Sequence, residues 1–445
     1  MRKLLLFGAA LAALPLPVAA QDHGQMDHGR MDHGTMDHGE MDHSTADDGA
    51  MNHPQGHHPG MEHGPAAPDR AMDGSGTSRL PALEAMNHGV HVSLGRDTSL
   101  MLHGFVWGVY SDQGGPRGDD KLYAQSMAMA TLEKPFEGGK FTLRTMMSAE
   151  PLMDADGYPN LFATGETARG EPLVDRQHPH DLFMELAGRV DIDIAEGASA
   201  FLYGGPVGEP ALGPSAFMHR ASARYNPEAP ITHHWFDSTH ITYGVVTAGV
   251  AAPAWQVEAS AFRGREPDED RWDIETPELD SWSVRASFAP SPAWLLQASY
   301  GEIAEPEASH PGQDEHRTTV SAQYNNGRGV SALAAFSAKN REPGDVLTAW
   351  LGEVNWDIDR HHSLFSRVEN VANDELFPDH AHPLHDRTFR ITKFQAGYAY
   401  RVPVGPANLA LGGTVSAFAK PAALDPYYGD APMGFTLFAR LSLGD

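Results

Sequence analysis

The stretch Trp282-Ser283-Val284-Arg285-Ala286-Ser287-Phe288 places an apolar side chain at every second position and a polar one between. Successive side chains of a β-strand point to opposite faces, so this pattern gives a strand with one apolar and one polar side. The same period returns where Trp350, Val354, Trp356 and Ile358 alternate with Leu351, Glu353, Asn355 and Asp357. It returns again where Phe394, Ala396, Tyr398 and Tyr400 alternate with Lys393, Gln395, Gly397 and Ala399, and from Phe435 to Leu443. Segments of this kind start near residues 99, 122, 140, 181, 198, 240, 254, 280, 293, 315, 329, 347, 362, 387, 406 and 433. Each is about as long as the ~9–11 residues with which a tilted strand crosses a bilayer.

The connections alternate in length. Short ones fall at 133–139, 193–197, 251–253, 289–292, 325–328, 359–361 and 402–405. Long ones lie between them, at 111–121, 152–180, 205–239, 264–279, 304–314, 339–346, 372–386 and 419–432. A soluble β-sandwich or propeller does not require that alternation, whereas an outer-membrane barrel has short periplasmic turns and longer external loops. The fold class expected is therefore all-β, a transmembrane antiparallel β-barrel of about 16 strands over 99–445, with a disordered N-terminal tail. Trp and Tyr near strand ends, such as Trp107, Trp255, Trp294 and Tyr398, suit the two interfacial girdles. The expected location is the bacterial outer membrane, with its lipid as one partner and the tail in the periplasm.

Composition narrows the chemistry. The 445 residues carry 32 Lys+Arg against 59 Asp+Glu, a formal charge of −27, with no cysteine, 25 histidines and 18 methionines. Without cysteine there is no disulfide scaffold, thiolate zinc site, iron–sulfur cluster or thiol nucleophile. The acidic balance lacks the basic footprint that nucleic acid requires, so no nucleic-acid partner is expected. No Gly-x-Ser-x-Gly elbow is present, and in Ser238-Thr239-His240 the serine and histidine follow too closely to be read as a dyad. The chain does not read as an enzyme, and no organic cofactor is expected.

Residues 1–20 read as a signal peptide: Arg2 and Lys3, an apolar run from Leu4 to Leu16, then Val18-Ala19-Ala20 as cleavage site. Cleavage there would leave Gln21-Asp22-His23, whose amine, amides and imidazole can form a four-nitrogen plane suited to Cu(II) or Ni(II). Residues 21–98 form the tail, which carries a five-residue Met-Asp-His-Gly repeat. Its candidate ligands are His23, Met26, His28, Met31, His33, Met36, His38, Met41 and His43, then Met51, His53, His57, His58, Met61 and His63. Thioether sulfur suits Cu(I) and, being soft, Ag(I); imidazole suits copper in either state. The segment is almost free of aliphatic side chains, so burial cannot offset its ordering entropy. A solubilising linker has no need for Met and His in fixed order, so copper ions, Cu(I) or Cu(II), or else silver, are the expected ligands. Periplasmic metal-handling proteins are candidate partners.

A second set of candidate ligands lies in the long loops. His178, His180 and Asp181 close the first, His219, His233 and His234 occupy the second, and His380, His382 and His385 belong to a third. His-x-His spacing beside carboxylates suits a borderline divalent metal, although no single loop supplies a complete ligand set. The competing reading is that these groups tie the loops to the wall. Loops of this length in barrels often fold into the lumen.

The Met-Asp-His-Gly tail resembles the Met/His-rich segments of copper-resistance proteins. The body lacks the sequence blocks of the copper-resistance B barrel. Its stretches Gln177-His178-Pro179-His180-Asp181-Leu182-Phe183, Phe217-Met218-His219-Arg220 and Ile231-Thr232-His233-His234-Trp235 instead resemble uncharacterised proteobacterial exported proteins of heavy-metal resistance loci. That resemblance implies copper handling.

Overall fold

The computed structural model describes residues 72–84, 89–95 and 97–443. The leader and every repeat ligand from His23 to His63 lie outside the described residues.

Sixteen antiparallel strands close into one barrel. They are β1 (Ser99–Gln113), β2 (Asp120–Phe136), β3 (Gly139–Met147), β4 (Phe183–Ala195), β5 (Ala198–Gly208), β6 (Thr242–Ala252), β7 (Trp255–Phe262) and β8 (Ser281–Ser291). Then follow β9 (Trp294–Ile303), β10 (Asp314–Asn325), β11 (Val330–Glu342), β12 (Val346–Asp357), β13 (His362–Asn373), β14 (Phe389–Val404), β15 (Ala407–Ala419) and β16 (Met433–Leu443). Each expected start falls within two residues of the observed one. Every strand pairs with its sequence neighbours, and β16 returns to β1, with Gly434 opposite Gln113 and Leu443 opposite Gly104. Tight turns join alternate pairs at one end. Gly138 (φ 79°) and Gly197 (φ 73°) supply the left-handed conformation those turns need.

The period-two pattern sorts the two faces. Outward positions expose apolar side chains, among them Val257, Val284, Leu296, Val320, Val354, Val368 and Leu437. Water would not leave such a surface uncovered, and lipid covers it. Aromatics rim it at both ends: Trp282 and Phe288, Trp294 and Tyr300, and Trp350 and Trp356 stand six residues apart on β8, β9 and β12, or about 20 Å of strand. Inward positions carry buried charge: Glu258, Arg285, Glu353, Arg367, Glu369 and Lys393 are all below 4% exposed. Arg285 Nε donates to Glu258 Oε1 at 2.9 Å.

Two long loops turn into this polar interior and fill it. Arg220 donates to both oxygens of Glu353 at 3.0 Å. Glu353 also accepts from Arg367 at 3.1 Å. Lys393 reaches Glu228 at 2.8 Å, and Thr232 donates from N and Oγ1 to Glu369. The loops thus carry charges complementary to the wall, and Ala211, Leu212, Trp235 and Phe236 of the second loop are buried with them.

Part of the tail behaves differently from expectation. Residues 72–84, read from the sequence as disordered tail, lie inside the barrel as a strap. Arg144 Nη1 donates to the carbonyls of Gly74 and Gly76, Gln256 to that of Thr77, and Arg285 to Thr77 Oγ1. Ser75 exchanges hydrogen bonds with Ser215 and Ala216 of the second inward loop. Arg79 caps the Ala252 and Pro253 carbonyls, and Leu83 N donates to Pro292 O, so the strap runs along the short-turn end. Gly74-Ser75-Gly76-Thr77-Ser78 carries no apolar signal because a polar lumen holds it by hydrogen bonds. After the strap, a short strand, Val90–Ser93, pairs with Leu102–Ser99 of β1, just past the point where β16 ends.

Candidate metal centre

The two inward loops bring histidines together at the middle of the lumen. In His178-Pro179-His180 the proline favours extended backbone, which turns residues two apart to one side. The ring centroids of His178 and His180 are 6.2 Å apart. A small hairpin holds this segment in place: Arg176 and Gln177 pair with Pro159 and Tyr158. In the second loop a single helical turn, His233–Phe236, sets His233 one turn before Asp237. The next turn, Ser238–His240, brings His240 back over the same Asp237.

The result is a group of imidazoles with a common hydrogen-bonding pattern. His178 Nδ1 donates to the Pro179 carbonyl at 3.0 Å, and His180 Nδ1 to Glu150 Oε2 at 2.9 Å. His233 Nδ1 donates to Asp237 Oδ1 at 2.9 Å, and His240 Nδ1 to the Asp237 carbonyl at 2.6 Å. The Nε2 atoms of His178, His180 and His240 are buried and have no hydrogen-bond partner. Centroids lie 6.1 Å apart for His178 and His233, 5.2 Å for His233 and His240, and 5.3 Å for His180 and His240. Ligand atoms of His178, His233 and His234 lie within 4.8 Å of one another. A ring held at Nδ1 by oxygen, with Nε2 left free, is how metal-ligating histidine is oriented.

His234 joins this group to carboxylates. Its ligand atom shares a 4.8 Å neighbourhood with Glu166 and Glu266. His234 Nδ1 is 3.3 Å from Glu266 Oε1, and His178 Nε2 is 3.1 Å from Glu166 Oε1. Neither His234 Nδ1, His178 Nε2 nor Glu266 Oε1 achieves hydrogen-bond geometry. These groups converge on shared space more than on each other. A third grouping, Glu307 with His310 and Glu375, follows toward the long-loop end, beside Arg341 and Lys339.

Electrostatics sort the rings by readiness to bind. Burial holds His178 well below the usual imidazole range, with Arg271 and the neighbouring histidines adding to it. Burial does the same to His240, and it lowers His233 although Asp237 pulls the other way. These rings stay neutral at neutral pH, the form that ligates. Burial also opposes charge on His180 and His234, but carboxylates outweigh it. Glu150 raises His180, while Glu266, Glu307 and Glu166 push His234 up to about 9. Burial lifts Glu166 to about 7 against Arg271.

Of the loop residues picked out from sequence, His178, His180, His233 and His234 meet here. Asp181 stands aside, accepting from Arg271 at 3.2 Å and from Tyr243. His219 is buried elsewhere, toward the short-turn end. His380, His382 and His385 stay in an outer loop: His382 stacks on Phe377 at 4.5 Å, and His385 Nδ1 donates to the Phe377 carbonyl. They tie down their own loop. His240 and Asp237, which belong to the same His- and carboxylate-rich stretch of the second loop, complete the centre together with Glu150, Glu166 and Glu266, three carboxylates that were not in the sequence-derived set. Asp237, four residues after His233, also had a local signal.

No family model matches the chain, and no curated protein matches it. Among solved structures it is similar to Salmonella typhi OmpF in complex with daunomycin, at 11% identity and TM-score 0.51, over 80% of this chain and 100% of that one. It is also similar to the anion-selective porin from Comamonas acidovorans, at 11% identity and TM-score 0.48, over 78% and 100% of the two chains. The outer membrane channel DcaP of Acinetobacter baumannii gives 12% identity and TM-score 0.47, over 80% and 99%. The first likeness shows a shared fold: this is a porin-like, outer-membrane type of β-barrel.

Proposed function

We propose that this outer-membrane barrel binds copper-group ions through its Met-Asp-His-Gly repeat in the periplasm and a divalent ion through the lumen histidines, and so contributes to metal tolerance or efflux. In this reading it is one of the barrel proteins of heavy-metal resistance loci. The observation that carries it is the buried imidazoles of His178, His180, His233 and His240, each fixed at Nδ1 by oxygen, with the Nε2 atoms of His178, His180 and His240 making no hydrogen bond. A structural histidine at such depth would use both nitrogens.

The test is titration of the mature protein with Cu(II), and with Cu(I) under reductant, with and without residues 21–71. The deletion stops before Met72 because the strap belongs to the barrel. Bound copper is expected to fall by the repeat's share, and the residue to fall again on replacing His178 and His233 by Ala. Unchanged copper binding and copper tolerance after the deletion would refute the repeat's role. A porin-like channel for another solute, with an incidental tail, is favoured by the shared fold alone. That reading requires substantial conductance through a lumen that two loops fill.

A further inference from the structure

The lumen wall of such a barrel is ordinarily polar. On β1, β2 and β3 one patch of it is instead built from methionine and histidine. Inward positions here are Met101 and His103 on β1, Met127 and Met129 on β2, and Met146 on β3. Register aligns them: His103 stands opposite Met129, and Met129 opposite Met146. Directly opposed side chains have Cβ atoms about 4.5–5.5 Å apart, so these three form one row across three strands. Met127, Met129 and Met146 pack in one cluster with Met184, and Met101 and Met218 border it. His219 of the second inward loop reaches the same wall, lining one cavity with Met101 and Met129. It is 6% exposed, and its Nε2 has no hydrogen-bond partner.

The wall has an opening at each side. A vestibule of about 1110 Å³ at the short-turn end is lined by His91, Met101, Met129 and His219. His91 lies directly opposite Met101 in the short strand before β1. The vestibule's charges nearly balance, with Asp73, Glu133, Asp191, Asp193 and Glu196 facing Arg79, Lys140, Arg144 and Arg189. On the far side, Met184 and Met218 border a narrow space shared with His180 and Glu150 of the metal centre.

We propose that His103, Met129, Met146 and His219 form a binding site for a soft monovalent cation of the Cu(I) or Ag(I) type, entered from the vestibule. Neutral thioether and imidazole ligands suit a soft single charge and serve a hard dication poorly. One charge is also less costly to bury than two. Packing alone would be met by leucine and would leave no reason for two histidines among the sulfurs. The site is separate from the nitrogen- and carboxylate-rich centre above it. It rests on the reading that the protein handles copper-group ions.

The experiment uses the full chain labelled at methionine methyl carbons, folded in detergent and titrated with silver nitrate. Ag(I) is redox-inert, and each methyl signal reports its own sulfur. Signals are assigned with Met129→Leu and Met146→Leu, single changes of conserved volume. The Met129 and Met146 methyls are expected to shift together and saturate with one equivalent. His219→Gln is expected to raise the silver concentration needed about tenfold. Zn(II) is expected to leave both methyls in place. The proposal is overturned if they stay still while the repeat methionines saturate, or if Zn(II) moves them as Ag(I) does. If they saturate while the repeat methionines stay still, the lumen site stands and the repeat reading falls. The wild-type titration decides the matter even if a variant fails to fold.

Discussion

Replacing Asp237 by Asn tests the lumen centre without emptying it. Asp237 Oδ1 accepts from His233, while Oδ2 accepts from Phe217 N at 3.0 Å and from Arg220 at 3.2 Å. Asparagine keeps the shape but can turn its amide toward His233, which would then carry its proton on Nε2 and lose the ligating lone pair. Loss of such an orienting carboxylate typically weakens metal binding 10–100-fold. The assay is urea unfolding in detergent with and without Zn(II). Repeat histidines, expected from sequence to lie outside any packed core, bind zinc whether the barrel is folded or not, so they cancel. A site that exists only in the folded barrel adds about 2.7 kcal/mol at a zinc concentration 100 times its Kd. With affinity about 30-fold weaker at the same zinc concentration, the gain falls to roughly 0.9 kcal/mol. His233→Ala should remove it altogether. If D237N keeps the full zinc-linked gain, Asp237 serves Arg220 alone and the orienting argument fails.

Three further outcomes follow from the interior. Glu353→Gln weakens the tie between two fully buried guanidiniums, Arg220 and Arg367. It should cost about 3–5 kcal/mol, read as a lower urea midpoint, and an unchanged midpoint would count against the clamp. Burial raises Glu209 to about 8, so the folded barrel takes up its proton more readily than the unfolded chain, where the model value is 4.5. Its contribution is therefore most favourable below about pH 4.5 and is lost as pH rises to 8, by up to about 1.4 kcal/mol per unit. Glu209→Gln should flatten that slope between pH 5 and pH 8, and parallel curves for the two proteins would refute it. Deleting residues 72–84 should raise single-barrel conductance in a planar bilayer above that of the full chain. Equal conductance would mean that the two inward loops alone set the passage.

The barrel was legible because its signal is local. Alternation in β8 or β14 needs only side chains two apart, and lengths of connection need only a count. The interior was not, because its partners lie far apart in sequence. Glu150 holds His180 across 30 residues, and Arg220 finds Glu353 across 133. The histidines of the inward loops were visible as candidates, but nothing local separated His233 from His382, which ends stacked on Phe377. The strap was hidden for a different reason. A stretch of glycine, serine and threonine looks solvated unless the wall that binds it is already known.

That strap also determines how the barrel bears a load. The edge of β1 is shared by both ends of the chain, β16 along most of its length and the four residues Val90–Ser93 at its foot. Four residues of ladder would peel easily. Any pull on the chain ahead of Met72 meets the strap first, where Arg144, Gln256, Arg285 and Ser215 hold it to two walls and a loop. The strap therefore works as a strain relief: an ion cluster that shortens the repeat, or a protein that grips it, can tug without unzipping the seam.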